Sequence, residues 1–231
     1  MKRSESCISI LLLVLALTAC GGGKQSAVEG KLVDGNGKPM AGVKITAAQV
    51  QPIKGYEQFE AVTGSDGSFR IRGLFPSSQY VLKPWSDKWT CESAVVRLDS
   101  APQGETSVLS SPMIVRFTLS GEGVVADSQT GLEWVAGPDR DTNYAQAEQW
   151  VAGCNVAGGG WRMPTRQELA TLYQEGIGER NMDPAFRTTG WYVWAEPGAS
   201  SSAWGFGFFH GREFRTDSDN GRVFAVRSRS R

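Results

Sequence analysis

The chain has 231 residues, of which 40% are hydrophobic and 21% charged, and its formal net charge at pH 7 is zero. This composition is typical of a globular protein with room for one large domain or two small ones, and the balanced charge gives no argument for a nucleic-acid partner. The 28 glycines and 8 tryptophans favour short strands joined by tight turns over long helices.

The first twenty residues have the pattern of an export signal. Lys2 and Arg3 precede a mostly apolar run at 8–17, which is too short to cross a bilayer as a helix. The run ends in Leu-Thr-Ala-Cys, at Cys20. An ordinary secretory signal that happens to end near a cysteine is the less favoured alternative.

The same tetrapeptide resembles the bacterial lipoprotein box. The resemblance implies a signal peptide at 1–19, acyl chains such as palmitate on Cys20 and a tether over 20–26. Since Gly21 rather than Asp follows the cysteine, the resemblance also implies the cell outer membrane as the location. The expected partner of the N-terminus is therefore the membrane, through its lipid anchor.

Two cysteines remain if Cys7 leaves with the signal and Cys20 is acylated. In an oxidising envelope, Cys91 and Cys154 would often pair. They fall in different predicted domains, so a bridge would join those domains. Two separate buried thiols are the alternative.

The first domain is predicted at 27–119. Turn-forming residues at 34–39 separate two alternating apolar segments, and Asp66-Gly67 is predicted to lie at the tip of a second hairpin. The spacing predicts an antiparallel β-sandwich, with the second hairpin over 62–71 and strands expected at 28–33, 41–48, 80–82, 94–98 and 113–119.

The order of turn and core residues in this domain resembles the carboxypeptidase regulatory-like (transthyretin-like) family. The resemblance rests on Gly30, Leu32, Asp34, Gly37, Pro39, Gly42, Val43, Ile45, Thr63, Asp66, Gly67, Phe69, Ile71, Gly73 and Leu74. It implies a spacer or binding module without a catalytic group. Asp34, Asn36 and Asp66 are expected to form turns rather than bind calcium. Trp85 and Trp89 either fill the core or face the second domain.

The second domain is predicted at 121–231 as an α+β unit. Thr142 or Asn143 is expected to cap a helix that begins at Tyr144. A capping box, Thr165-x-x-Glu168, predicts a second helix whose apolar face contains Leu169, Leu172 and Tyr173. Aromatic segments that follow Gly176 predict short strands.

The same region resembles the C-terminal domain family of the collagen-like adhesin Lcl. The resemblance is carried by Asp127, Thr130, Gly131, Leu132 and Trp134, by Gly160 to Leu169, by Met182 to Phe186, by Trp194, Trp204, Phe208 and Gly211, and by Val226 with Arg227. It implies a C-type-lectin-like fold and adhesion to sulfated glycans. Where the family commonly has a cysteine, this chain has Ala225, and that departure favours the Cys91–Cys154 bridge.

Catalysis finds little support in the residue types. The lectin-like fold is shared with formylglycine-generating enzymes, and a resemblance to them would imply a copper site that needs a pair of cysteines. This domain contains Cys154 alone, and its one histidine is His210. Asp217 to Gly221 partly resembles a calcium loop, and Glu196-Pro197 lacks the amide that sugar-binding lectins use. We therefore expect no enzyme activity, no cofactor and no metal, with a degenerate oxidase as the least favoured alternative.

A binding surface is the remaining hypothesis. Aromatic side chains suit stacking against sugar rings, and arginines suit sulfate or phosphate groups. The alternative is that the aromatics form the core and the arginines a solvated tail. The sequence predicts a lipid-anchored envelope protein that recognises polysaccharide, or else a structural lipoprotein that docks a protein partner. The candidate ligand-binding residues are Trp191, Tyr192, Trp194, Trp204, Phe208, Arg212, Arg215 and Arg227.

Overall fold

The computed structural model describes residues 25–197, 203–215 and 219–229. The predicted signal peptide, Cys20 and most of the predicted tether lie outside these ranges. Among the described residues, no helix combines the length and apolar character needed to cross a membrane.

The first unit contains two sheets. In one, β1 pairs with β4 on one side and with β8 and β9, both parallel to it, on the other. The other sheet has the antiparallel order β3-β2-β5-β7. The strands are β1 (Ser26–Asp34), β2 (Lys44–Gln49), β3 (Gln58–Val62), β4 (Ser68–Leu74), β5 (Gln79–Trp85), β6 (Trp89–Thr90), β7 (Val96–Asp99), β8 (Thr106–Val108) and β9 (Met113–Val115).

One apolar core lies between these two sheets. Alternate residues point inward, so that Val28 and Leu32 of β1 pack in the same cluster as Ile45 and Ala47 of β2, and all four are fully buried. A sandwich is defined by one core that is formed by the inward-facing residues of both sheets. The predicted β-sandwich is therefore confirmed; its transthyretin-like assignment stays a prediction.

Two local predictions in this unit were wrong. Residues 62–71 do not form a hairpin, because β3 pairs with β2 and β4 pairs with β1, so that the turn carries the chain from one sheet to the other. Asp66 does form that turn, accepting hydrogen bonds from the backbone and hydroxyl of Ser68. The strand predicted at 113–119 breaks at Arg116, where the chain leaves the sandwich.

The second unit contains two sheets and two helices. A five-stranded sheet has the order β16-β12-β11-β10-β6, and a three-stranded sheet has the order β13-β14-β15. The elements are β10 (Phe117–Ser120), β11 (Val125–Asp127), β12 (Leu132–Ala136), α1 (Tyr144–Ala152), α2 (Arg166–Leu172), β13 (Tyr192–Ala195), β14 (Trp204–Gly207), β15 (Arg212–Arg215) and β16 (Phe224–Ser228), with short 3-10 turns at Val156–Gly158 and Pro184–Phe186.

Each face of the five-stranded sheet carries its own core. Trp134 and Val226 pack with Leu169 of α2 on one face. Val135 and Ala225, their neighbours along the strands, pack with Ala147 of α1 on the other. The mixture of helices and short strands matches the expected composition of this unit, whereas its C-type-lectin-like assignment stays a prediction.

Both helices begin where the capping residues predict. The Asn143 side chain accepts from the backbone of Gln146, and the Gln146 side chain accepts in return from the backbone of Asn143. Thr165 and Glu168 form the same reciprocal pair at α2. The Glu168 carboxylate also binds Arg162. Partial burial would raise the pKa of Glu168, but the hydrogen bonds from Arg162 and Thr165 outweigh it and leave the pKa below its ordinary value.

The two units share a sheet. Strand β6 belongs to the sandwich sequence but pairs with β10 of the second unit, while the Trp89 side chain packs against the sandwich core. At the same junction the Arg116 guanidinium donates to both carboxylate oxygens of Asp127, at 3.0 and 2.9 Å, and to the backbone oxygen of Thr171. The Asp127 side chain is fully buried. The sandwich therefore ends at Arg116, a few residues before the predicted boundary at 119.

Candidate functional site

The three-stranded sheet holds most of the predicted ligand-binding aromatics. In its register Tyr192 lies opposite Gly207, Trp194 opposite Gly205, and Trp204 opposite Arg215. Side chains alternate between the two faces of a strand, so these aromatics divide between two environments. One face of this sheet packs into the core that contains Trp134, and the other packs into the core that contains Trp194.

Two of the predicted binding residues are wrong because they are buried. Trp194 is 1% exposed and Phe208 is 0% exposed. The Trp194 indole N–H donates to the backbone oxygen of Thr142 at 3.0 Å. A side chain enclosed on all sides cannot stack against a ligand, so both residues serve the core.

Tyr192 is half-buried and lies opposite Gly207, one of the two glycines of β14. A Cβ at Gly205 would come within 2.6 Å of the Phe214 ring, and one at Gly207 would come within 3.2 Å of the Tyr192 ring. The two rings meet edge to face with centroids 5.0 Å apart. The glycines of β14 are therefore needed for the close approach of the two rings.

Trp204 lies among charged side chains at one end of this sheet. The guanidinium carbons of Arg166 and Arg215 are 4.2 and 5.2 Å from its ring centroid, distances typical of cation–π contacts. Arg166 also pairs with Glu213 at 2.6 Å. Glu213 neutralises part of this positive charge. The contacts among these side chains therefore stabilise the group without a ligand; its members are Arg166, Trp204, Glu213 and Arg215.

A second aromatic group lies at the opposite end, where a turn joins β14 to β15. Trp191 and Phe209 meet edge to face with centroids 5.1 Å apart, and Phe209 meets His210 at 4.5 Å. Phe209 is 56% exposed. The guanidinium carbon of Arg180 is 4.8 Å from the Trp191 ring. We call Arg180, Trp191, Phe209 and His210 the aromatic patch.

Backbone hydrogen bonds hold the aromatic patch in place. The Phe208 N–H donates to the oxygen of Trp191 at 2.7 Å, and the Asn181 side chain donates to the oxygen of Phe208 at 2.9 Å. Arg180 donates to the oxygen of Thr189 at 2.6 Å. The exposed rings therefore lie on a fixed backbone, which lowers the entropic cost of binding a ligand. The predicted Arg212 is exposed and directly follows this turn.

The predicted ligand-binding residue Arg227 is occupied by contacts within the second unit. Its guanidinium pairs with Glu133 at 2.8 Å, donates to the backbone oxygens of Ala157 and Gly159, and lies 4.2 Å from the Trp161 ring. These contacts use the donors that a sulfate would need. Arg227 instead fixes the glycine-rich segment before Trp161 onto β16.

An acidic loop and one arginine support the aromatic patch from the side. Arg222 binds both Asp139 and Asp141, and Asp139 accepts from the backbone N–H of Thr189. Desolvation would raise the pKa of Asp139, but the hydrogen bonds from Thr189 and Arg222 lower it to about 2. Asp139 is thus a structural carboxylate that stays ionised under ordinary conditions.

The predicted Cys91–Cys154 bridge is not formed in the structure, where both cysteines are free. Cys91 is buried in the sandwich core, and Cys154 packs beside α1 in the second unit. Burial raises the pKa of the Cys91 thiol, which makes it a poor nucleophile. The two thiols therefore belong to different cores and offer no paired redox site.

Metal-binding groups are not clustered in the described ranges. Within 25–197, 203–215 and 219–229, no three His, Cys, Asp or Glu side chains come close enough to hold an ion. Asp217 and Ser218 of the calcium-loop resemblance at 217–221 lie outside those ranges. Asp34 accepts from the backbone of Asn36 and Lys38, as a turn former does.

Sequence reasoning missed Arg180, Phe209 and Arg166. Arg180 precedes Trp191 by eleven positions in a segment without periodicity, so nothing in the sequence places its guanidinium near that ring. Phe209 is next to Phe208 in the sequence, and only the end of β14 at Gly207 separates the buried ring from the exposed one. The sequence signal that could have identified Phe209 as exposed is its position as the second of two adjacent phenylalanines at the end of a predicted strand.

The second unit matches a known family. Residues 123–227 match the family model described as the Lcl C-terminal domain. This match covers a little under half of the chain and supports the predicted likeness of the second domain. A search of curated proteins found no match.

Solved structures show only weak likeness. GBS52, the minor pilin of Streptococcus agalactiae, is 20% identical, with 40% of this chain and 45% of that chain covered and a TM-score of 0.29. A DUF3823 family protein from Parabacteroides merdae is 16% identical, with 52% and 63% covered and a TM-score of 0.31. The chain spans less than two thirds of either protein, and we base no argument on these likenesses.

Proposed function

We propose that the protein is a cell-envelope binding protein whose second unit recognises an anionic polysaccharide through the aromatic patch. The observation that carries the proposal is the exposed Phe209 ring beside Trp191 and Arg180 on a fixed backbone. Aromatic faces stack against sugar rings, and guanidinium groups bind carboxylates and sulfates through charge-assisted hydrogen bonds. The match to the Lcl C-terminal domain model supports an adhesin-like role.

The charge on this surface favours an anionic ligand. In the part of the chain that the structure describes, the exposed Arg212 side chain makes no hydrogen bond or ion pair. Arg180 binds mainly backbone oxygens, and its nearest carboxylate, Glu179, is 3.9 Å away with a side chain that is 91% exposed. Weak screening by neighbouring acids leaves both cations available to a ligand.

The proposed role is binding rather than catalysis. The buried thiol of Cys91 is distant in the fold from Cys154, which disfavours the thiol-based oxidase alternative. We further propose that acyl chains on Cys20 hold the protein at the outer membrane and that the sandwich extends the second unit away from it. Multiple acyl chains are sufficient for a stable anchor.

A protein partner is the second candidate, and the exposure of Phe209 favours it too. Aromatic and arginine side chains dominate the binding energy of protein interfaces. A protein partner would need an apolar pocket for Phe209, whereas a polysaccharide would use the face of the ring. The two candidates therefore differ in their dependence on glycans, and one variant tests both.

The decisive experiment compares wild type with Phe209→Ala on immobilised glycans that include heparin and hyaluronan, at low salt where charge contacts are strongest. We expect binding of at least one anionic glycan and a loss of about tenfold or more in the variant, equivalent to about 1.4 kcal/mol. Phe75→Ala is the matched control, since Phe75 is an exposed phenylalanine of the sandwich.

Two outcomes would contradict the proposal. One is the absence of glycan binding by a folded wild-type protein, and the other is equal binding by Phe209→Ala. Co-purification of an envelope protein that depends on Phe209, without any glycan binding, would establish the protein-partner candidate instead.

A further inference from the structure

A groove lies at the junction of the two units. Its volume is about 460 Å³, within the range of small-molecule sites, and its apolar wall includes Trp89, Leu119 and Phe186. Trp89 belongs to the sandwich sequence, and Phe186 to the second unit. The groove therefore exists only because β6 pairs with β10.

Two cations at this groove have no partner within the described residues. Neither the Lys88 ammonium nor the Arg187 guanidinium makes a hydrogen bond or an ion pair there, and both side chains are exposed. Arg187 also has a φ of 47°, in the left-handed region. An arginine in that conformation costs about 1–2 kcal/mol relative to ordinary helical geometry, and such strain often marks a functional position.

Arg187 connects this groove to the aromatic patch. It also lines a second groove, of about 360 Å³, together with Arg180 and Thr188. Arg180 in turn lies 4.8 Å from the Trp191 ring, which contacts Phe209. Shared residues thus make one continuous path from Phe209, past Arg180 and Arg187, to Lys88.

We infer that this path binds one extended polysaccharide chain, with the groove between the units as its second subsite. The inference rests on the proposed function and assigns the sandwich a part in binding, beyond that of a spacer. Sugar rings pack on Phe209 at one end of the path and against the wall of Trp89 at the other. The cations Arg180, Arg187 and Lys88 bind negative groups between these ends.

The charges along the path indicate which polysaccharide. Glu179 and the buried Asp183 line the second groove together with Arg180, and Asp87 lies beside Lys88 in the first, so three carboxylates lie among the three cations. A densely sulfated chain would meet these carboxylates, whereas a chain with widely spaced carboxylates or sulfates would avoid them. The acids would then accept hydrogen bonds from sugar hydroxyls. The ligand class is therefore a linear polysaccharide of low charge density.

Chain length provides the test. Hyaluronan fragments of four and ten sugars carry one carboxylate per disaccharide, and their affinities for the full chain are measured by calorimetry. We expect the wild type to bind the longer fragment at least tenfold more tightly. In the double variant Lys88→Gln, Arg187→Gln this gain should fall below about threefold, with the affinity for the short fragment unchanged.

The double variant Lys83→Gln, Arg97→Gln is the matched control, because both cations lie on the outer face of the sandwich, on strands away from the path. This control variant should bind the longer fragment more tightly by the same factor as the wild type. Length-independent binding that still requires Phe209 would overturn this inference and leave the proposed function standing. Binding of no fragment by folded protein would overturn both. Equal affinity for a single-stranded oligodeoxythymidine, or a preference for heparin fragments of the same length over hyaluronan, would also overturn the inference.

Discussion

The sandwich and the second unit are stabilised in different ways. Within the described residues, ion pairs inside the sandwich join exposed side chains, Lys44 to Glu60 and Arg70 to Glu29. In the second unit, arginines bind more enclosed acids or backbone oxygens, as Arg116 does with Asp127 and Arg227 does with Glu133. The sandwich depends on strand ladders around one core. In the second unit, arginine side chains stabilise loops that make few backbone hydrogen bonds to neighbouring strands.

The physical reason is the amount of irregular backbone. The loop between α2 and β13 contains only one short 3-10 turn, and buried polar groups of a loop need partners outside regular structure. A guanidinium offers five donors in a rigid plane and therefore satisfies several such groups at once. Arginine variants should thus affect the second unit far more than the sandwich.

The largest effect is expected for Arg116→Met, which leaves the fully buried Asp127 carboxylate unpaired. Loss of one partner of a buried pair costs about 3–5 kcal/mol, and we expect the free energy of unfolding of the second unit to fall by the lower part of that range because Gln129 and Thr130 still donate to Asp127. Urea unfolding followed by tryptophan fluorescence measures it, since only Trp85 and Trp89 of the 8 tryptophans precede this unit.

Arg70→Met is the control for that experiment. Its pair with Glu29 is exposed on both sides, so the expected cost to the sandwich is below about 1 kcal/mol. Site-resolved labelling of the buried Cys91 thiol reports unfolding of the sandwich independently of fluorescence. Equal losses from the two variants would refute the difference between the units.

An intermediate effect is expected for Arg227→Lys. Lysine keeps the charge but loses the paired contact with Glu133 and the stack on Trp161, and we expect a loss of about 2 kcal/mol in the second unit. Arg229→Lys should change stability by less than about 0.5 kcal/mol, because Arg229 is 62% exposed and 3.9 Å from Glu133. Reduced glycan binding at unchanged stability would instead make Arg227 a ligand residue.

The smallest effect concerns pH. The pKa of Asp139 is about 2 in the folded chain and 3.8 ordinarily, so the folded state favours the ionised form. Its stabilisation is complete above about pH 4 and is lost as the pH falls from there towards 2. Asp139→Asn should therefore flatten the acid side of the stability profile of the second unit. Parallel profiles for wild type and variant in urea unfolding would show that the Arg222 network contributes nothing.

Local signals in the sequence proved dependable. Asn143 and Thr165 cap the two helices as predicted, because a capping box involves only residues three positions apart. Asp34 and Asp66 form turns for the same reason. Predictions of which strands or cysteines pair with each other were less successful, as the hairpin expected at 62–71 and the bridge between Cys91 and Cys154 illustrate.

The candidate site shows the same division. The sequence located an aromatic, arginine-rich segment but could not sort its members. Trp194 and Phe208 became core, Arg227 became a structural residue, and Phe209 became the exposed ring. Burial decides each of these outcomes, and burial depends on which face of β13 or β14 packs against another layer.

By itself the sequence determined the strand-rich first unit, the helix starts and the likeness of the second unit to the Lcl C-terminal domain, since these follow from periodicity, turn chemistry and motif order along the chain. Only the tertiary structure decided that β6 crosses to the second sheet, that Arg116 marks the boundary, and that Lys88, Arg187 and Arg180 lie along one path to Phe209. Such juxtapositions arise from long-range packing, because residues about a hundred positions apart become neighbours only when both units have folded against each other.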